Sequence, residues 1–189
     1  MSAVAKCREL TQQLATLLEK GNVEAAQPVV KQIKLSLIQF SVLRGSVKRS
    51  PQTTTELAAA IPALESCIFY SIQTQDDTAF ARFFAQLRSF YSMTTADTPN
   101  RPRILGLNLL RLLVDGELGD FHSELELIPQ ALVSSESIQF PIELERSLME
   151  GMYNQVLVAS HKCQDPLFKL YFGSYSCFLC HGTFTQFHD

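Results

Sequence analysis

The sequence predicts an all-α fold, an array of antiparallel helical hairpins, and three observations carry that prediction. Apolar residues recur at helical spacing almost from end to end. No run of alternating β-branched residues offers a strand, and Asp115-Gly116 lies between helical patterns rather than in a hairpin turn. Three places also share one local pattern: Leu18-Glu19-Lys20-Gly21, Leu113-Val114-Asp115-Gly116 and Leu148-Met149-Glu150-Gly151. In each, an apolar helix end meets a glycine and a second amphipathic helix begins. This is how helix pairs stack in tetratricopeptide-like repeats. The spacing between the pairs is irregular, so the repeats are degenerate, and a plain helical bundle is the alternative.

The elements follow in order. Leu10, Leu14, Leu17 and Leu18 form one stripe, with Gly21 as the C-terminal cap. Val30, Ile33, Leu37 and Phe40 form a second, with Pro28 expected in the first turn. After a polar loop, one of Thr53 to Thr55 is expected to cap a helix bearing Leu57, Ile61, Leu64 and Ile68, which Pro62 kinks or delays. Asp76 or Asp77 caps the next helix, whose Phe80, Phe83, Phe84, Leu87, Phe90 and Tyr91 read as core rather than as a ligand groove. Pro99 and Pro102 break the chain. Ile104–Val114 is apolar nearly all round and should be a central helix. A helix ending before Pro129, a loop through Ser134 to Ser137, and a segment opened by Pro141 and divided by Gly151 complete the series.

Composition limits the function. The chain has 189 residues, 46% hydrophobic and 19% charged, which is globular rather than disordered. A net charge of −3, with Arg44, Lys48 and Arg49 as the densest basic cluster, predicts no nucleic-acid partner. Lys6, Arg8 and Glu9 interrupt the first stretch, so it does not read as a secretory signal. No window is apolar enough to span a membrane, so no membrane partner is expected. An odd count of five cysteines without an export signal points to reduced thiols in the cytoplasm and nucleus.

No enzyme is expected. His122, His161, His181 and His188 lack a local partner pattern, and no phosphate-binding glycine loop, nucleophile elbow or zinc-protease motif is present. His122 reads as a surface residue, and Glu143 can pair with Arg146 in an ordinary solvated contact. The stretch Cys177-Phe178-Leu179-Cys180-His181 has the letters of a haem-attachment motif. With Cys163 and either His181 or His188, Cys177 and Cys180 also supply the ligand count of a structural zinc. Zinc sites usually show two closely spaced ligand pairs, and Cys163 stands alone. A small zinc protein is therefore the rival from a different class; no metal and no cofactor is the expectation.

Two composite motifs carry more than composition. Gly106-Leu107-Asn108-Leu109-Leu110 is followed by Phe121-His122-Ser123-Glu124-Leu125-Glu126. Pro141-Ile142-Glu143-Leu144-Glu145 is followed by Leu148-Met149-Glu150-Gly151-Met152-Tyr153-Asn154. In this order and at these distances, over roughly residues 22 to 172, the chain resembles the PCI-type family of lid subunits. Those subunits serve the proteasome, the COP9 signalosome and translation initiation factor 3.

The resemblance implies a non-catalytic scaffold, a helical array leading into a winged helix, hetero-oligomeric in its full-length form. It implies other proteasome lid subunits as partners and a role in ubiquitin-dependent proteolysis; the signalosome or initiation-factor branch is the alternative. Gly106, Leu107, Asn108, Phe121, His122, Glu124, Leu148, Met149, Glu150, Gly151, Tyr153 and Asn154 become structural or interface residues, with the Tyr153 ring expected to be buried. Residues 1–172 are then the helical-repeat part. Residues 173–189 depart from the family pattern, with no charged residue between Gly173 and Gln186. They are expected to form a divergent, poorly packed tail of a truncated isoform whose winged helix is missing, leaving an uncovered face prone to aggregation.

Overall fold

The computed structural model describes residues 3–40, 51–94, 98–162 and 165–170. Every described element is helical, as the periodicity requires. The chain divides into two compact units, Met1–Ala96 and Asp97–Asp189.

The first unit holds α1 (Ala3–Glu19), α2 (Val23–Ile38), α3 (Pro51–Gln73) and α4 (Asp77–Met93). Helix α1 packs on both α2 and α3, and α3 packs on α4. The expected stripes meet here. Cys7, Leu10 and Leu14 of α1 are buried with Val30, Ile33 and Leu37 of α2, and with Leu64 and Ile68 of α3. The aromatic stripe of α4 is core, as its spacing predicts: Phe80, Phe83, Phe84, Leu87, Phe90 and Tyr91 are all buried. The Tyr91 hydroxyl donates to the buried Glu65 carboxylate at 2.9 Å, so the polar tip of one helix is satisfied by the other.

The second unit holds α5 (Arg101–Val114), α6 (Leu118–Glu126), α7 (Gln130–Val133), α8 (Glu136–Met149) and α9 (Tyr153–Lys162), with a further helical turn over residues 166–170. Helix α5 packs on α6 and α8, and α8 on α9. Eight residues of α5 are buried, from Ile104 to Leu113, which makes it the central helix of its unit.

One turn geometry recurs at the hairpins. At Gly21, Gly116 and Gly151 the backbone is left-handed, with φ of 67°, 76° and 71°. Each time the glycine N–H returns to the carbonyl three residues back: Leu18 at 3.0 Å, Leu113 at 3.3 Å and Leu148 at 3.1 Å. The following N–H reaches five back, to Leu17, Leu112 and Ser147. This paired closure is the Schellman motif, which fills the last orphan carbonyls and requires a left-handed residue at its pivot.

The α3–α4 hairpin uses the same closure without a glycine. Gln75 adopts φ of 55°, its N–H bonds the Ile72 carbonyl at 3.1 Å, and the Asp76 N–H reaches Ser71 at 3.0 Å. Asp76 then caps α4, accepting the Ala79 N–H at 2.9 Å and the Thr78 hydroxyl at 2.7 Å.

The structure corrects the proline and threonine boundaries. Helix α3 begins at Pro51, so Thr53 to Thr55 lie inside it rather than at its N-terminus. Pro62 does not delay that helix, which runs through it to Gln73. The carbonyl that Pro62 cannot serve belongs to Ala58, on an exposed face open to solvent. Pro28 lies within α2 beyond the first turn, also on an exposed face. Pro141 does not open a helix: α8 starts at Glu136 and runs through it, so helix replaces much of the expected Ser134–Ser137 loop. Arg146 pairs forward with Glu150 at 2.9 Å rather than with Glu143.

Candidate assembly surface

The two sequence motifs meet in the second unit. Gly106, in the first, faces the backbone of α8. A β-carbon placed there would collide with the Ser137 carbonyl oxygen and come within 3.0 Å of the Phe168 ring. Only glycine lets α5 and α8 approach so closely. Pro141, in the second motif, stands four residues after Ser137 and brings no N–H to that carbonyl. The carbonyl that α8 does not bind through Pro141 is the one pressed on Gly106, where a Cα–H can face it.

The segment after α9 is fastened to the same place. Phe168 is buried and meets Phe140 of α8 edge-to-face, with ring centroids 5.8 Å apart. Asp165 accepts from the Arg103 guanidinium at the start of α5 and from the Leu167 N–H at 3.0 Å. One carboxylate therefore starts the final helical turn and ties it to the central helix.

The motif residues divide by position. Leu107 and Phe121 are fully buried. Asn108 is buried too, and its carboxamide oxygen has no hydrogen-bond partner among the described residues. His122 lies 3.6 Å from the Glu145 carboxylate with its own side chain 56% exposed, and its ring meets Phe121 edge-on. Glu124 and Leu148 are half-buried, whereas Met149, Glu150, Gly151 and Asn154 are exposed. The expected burial of the Tyr153 ring lies outside the described side chains. So do Cys163, Cys177, Cys180, His181 and His188, together with the tail from residue 173.

Among the described residues, no group of three or more His, Cys, Asp or Glu side chains could hold a metal ion. No described helix is long and apolar enough to cross a membrane. Cys7 and Cys67 are buried thiols. Burial pushes the Cys67 thiol up to about 12, which suppresses the reactive thiolate. The geometry offers packed helix faces edged by single exposed apolar side chains, including Leu127, Met149, Val158 and Leu170. Such faces suit contact with other proteins.

Comparison with known proteins agrees with the motifs. Residues 99–168 match the CSN8/PSMD8/EIF3K family, a span that runs from just before α5 to Phe168. The chain is 39% identical over 143 residues to the 26S proteasome non-ATPase regulatory subunit 8 homolog A of Arabidopsis thaliana, covering 74% of this chain and 54% of that protein. It is 32% identical over 108 residues to the 26S proteasome non-ATPase regulatory subunit 8 of Caenorhabditis elegans, covering 57% of this chain and 43% of that protein. Against the 26S proteasome regulatory subunit RPN12 of Saccharomyces cerevisiae it is 29% identical over 154 residues, covering 78% of this chain and 56% of that protein. The chain thus spans about half the length of the curated relatives it matches.

Proposed function

We propose, for a chain whose residues 99–168 match the CSN8/PSMD8/EIF3K family, that it acts as a non-catalytic scaffold subunit of the proteasome regulatory particle. In that role it assembles with other lid subunits and serves ubiquitin-dependent proteolysis in the cytoplasm and nucleus. The supporting observation is the coincidence of three things. The family segment, the Gly106–Ser137 approach and the Asp165 fastening all fall in one unit. A matched segment that builds a closely packed helical unit is what a rigid docking element needs.

Contact surfaces of assembly subunits need no titratable cluster, and the exposed Met149, Leu127 and Val158 supply apolar anchor points. The curated relatives named above are proteasome regulatory subunits, which favours the proteasomal branch over the signalosome and initiation-factor branches in the family's name.

Fractionating a lysate that expresses the tagged chain tests this reading. Co-migration with regulatory-particle subunits in a glycerol gradient supports it. Migration of all the chain as a small isolated species overturns it.

A further inference from the structure

The outer face of α2 carries two exposed apolar side chains beside two lysines. Its charged residues are Glu24 in the first turn and Lys31 and Lys34 in the middle, so the part of the helix from Ala25 to Ile38 holds two basic residues and no acidic one. Within this stretch Lys31, Leu35 and Ile38 are exposed and follow one another at i, i+4 and i+7, so they form one ridge. Leu35 is 64% exposed and Ile38 61%. Among the described residues no other helix carries two large apolar side chains so exposed.

The ridge is not a misplaced core stripe, because α2 already buries Ala26, Val30, Ile33 and Leu37 on its inner side against the neighbouring helices. Lys34, beside the ridge, holds its ammonium 4.8 Å from the Phe83 ring centre. That contact lays its stem along the unit and fixes a second positive charge near the ridge.

We propose that the Lys31–Leu35–Ile38 ridge of α2 is a docking surface for an acidic amphipathic helix of a partner protein. Two apolar side chains a helical turn apart match the i, i+3/i+4 anchors of a helix laid against them. Flanking lysines select a partner whose polar flanks carry Asp or Glu, and they speed its encounter. The acidic remainder of this chain repels the same partner elsewhere, which localises it to α2. The proposal rests on the reading of the chain as an assembly subunit, and its test does not use the proteasome.

The probe is a fluorescein-labelled peptide of eighteen residues, with Leu on one helical face and Glu on the other. Its controls are a scrambled peptide of the same composition and a version with Lys in place of Glu. Fluorescence anisotropy with the full 189-residue chain should show binding of the Glu peptide alone. The double variant Leu35→Glu, Ile38→Glu should weaken it by about tenfold or more. Lys31→Glu should weaken it by about threefold, and raising salt to 0.5 M should do the same. Both variants alter exposed positions, so unchanged thermal melts show that folding is intact.

Absence of binding overturns the proposal, as does equal binding of either control peptide. Two other outcomes overturn it by naming another occupant. One is binding to vesicles containing phosphatidylserine that the double variant abolishes. The other is self-association of the chain, seen by sedimentation, that the double variant abolishes. Loss of lid association with peptide binding intact would sink the functional reading and leave the surface standing.

Discussion

Gly106 of α5 lies directly against the carbonyl oxygen of Ser137 in α8, a contact with no room for a β-carbon. The relationship joins two helices across some thirty residues of sequence, whereas a β-carbon placed at Gly119 or Gly151 would meet nothing within 4 Å. Gly106→Ala must push the two backbones apart, because the obstructing atom is a carbonyl rather than a flexible side-chain end. Overpacking of this kind costs about 2–3 kcal/mol. Hydrogen exchange should show α5 and α8 amides losing protection by about one to two orders of magnitude, with α1–α4 unchanged. Unchanged protection of α5 would contradict the packing.

Gln75 predicts the opposite sign. A non-glycine residue in the left-handed region costs about 1–2 kcal/mol, part of which glycine returns as unfolded-chain entropy. Gln75→Gly should therefore stabilise the first unit by about 0.5–1 kcal/mol. Gly116→Ala should destabilise the second by about 1 kcal/mol, since φ there is 76°. Chemical denaturation of the full-length variants checks both signs.

Asp76 supplies a pH dependence. The Ala79 N–H, and after it the Thr78 hydroxyl, hold its carboxyl below the ordinary value of 3.8. Its contribution is therefore fully present above that value and is lost as pH falls through the lower, folded value. Asp76→Ala should cost about 1 kcal/mol near pH 7, the usual worth of an N-cap. The gap between variant and wild type should narrow as pH falls below about 4, where the carboxylate is protonated and keeps only a neutral oxygen as acceptor. Thermal melts across that range are the check, and a gap that does not narrow at all between pH 7 and pH 2 would contradict a charged cap.

Much of this architecture was legible because glycine and aspartate act locally. Gly21, Gly116 and Gly151 mark their turns by the conformation they permit, and Asp76 marks its helix by an oxygen that reaches the third N–H. The Gln75 turn was hidden, since nothing in a glutamine announces a positive φ; the closure of α3 onto α4 imposes it. The prolines misled for a related reason. Pro28 and Pro62 each lose one bond on an exposed face open to solvent, so a helix runs through where an isolated pattern predicts a boundary. Pro141 loses a bond toward the α5 contact instead, and only the fold shows that Gly106 waits there.

The site was legible unevenly. The motif letters fall in one unit, yet they could not separate buried Leu107 and Phe121 from exposed Met149 and Asn154, because burial depends on which helices pack together. Nothing in the letters of α2 set Lys31, Leu35 and Ile38 apart. Their meaning came only when Leu35 and Ile38 proved to face outward.

The central claim, that the chain is a lid-type assembly subunit, is tested most directly by affinity purification of the tagged 189-residue chain with quantitative mass spectrometry. The account predicts recovery of proteasome lid subunits in near-equal amounts, with signalosome and initiation-factor subunits at background. Recovery of the chain without lid subunits, or with signalosome or initiation-factor subunits in their place, would contradict it.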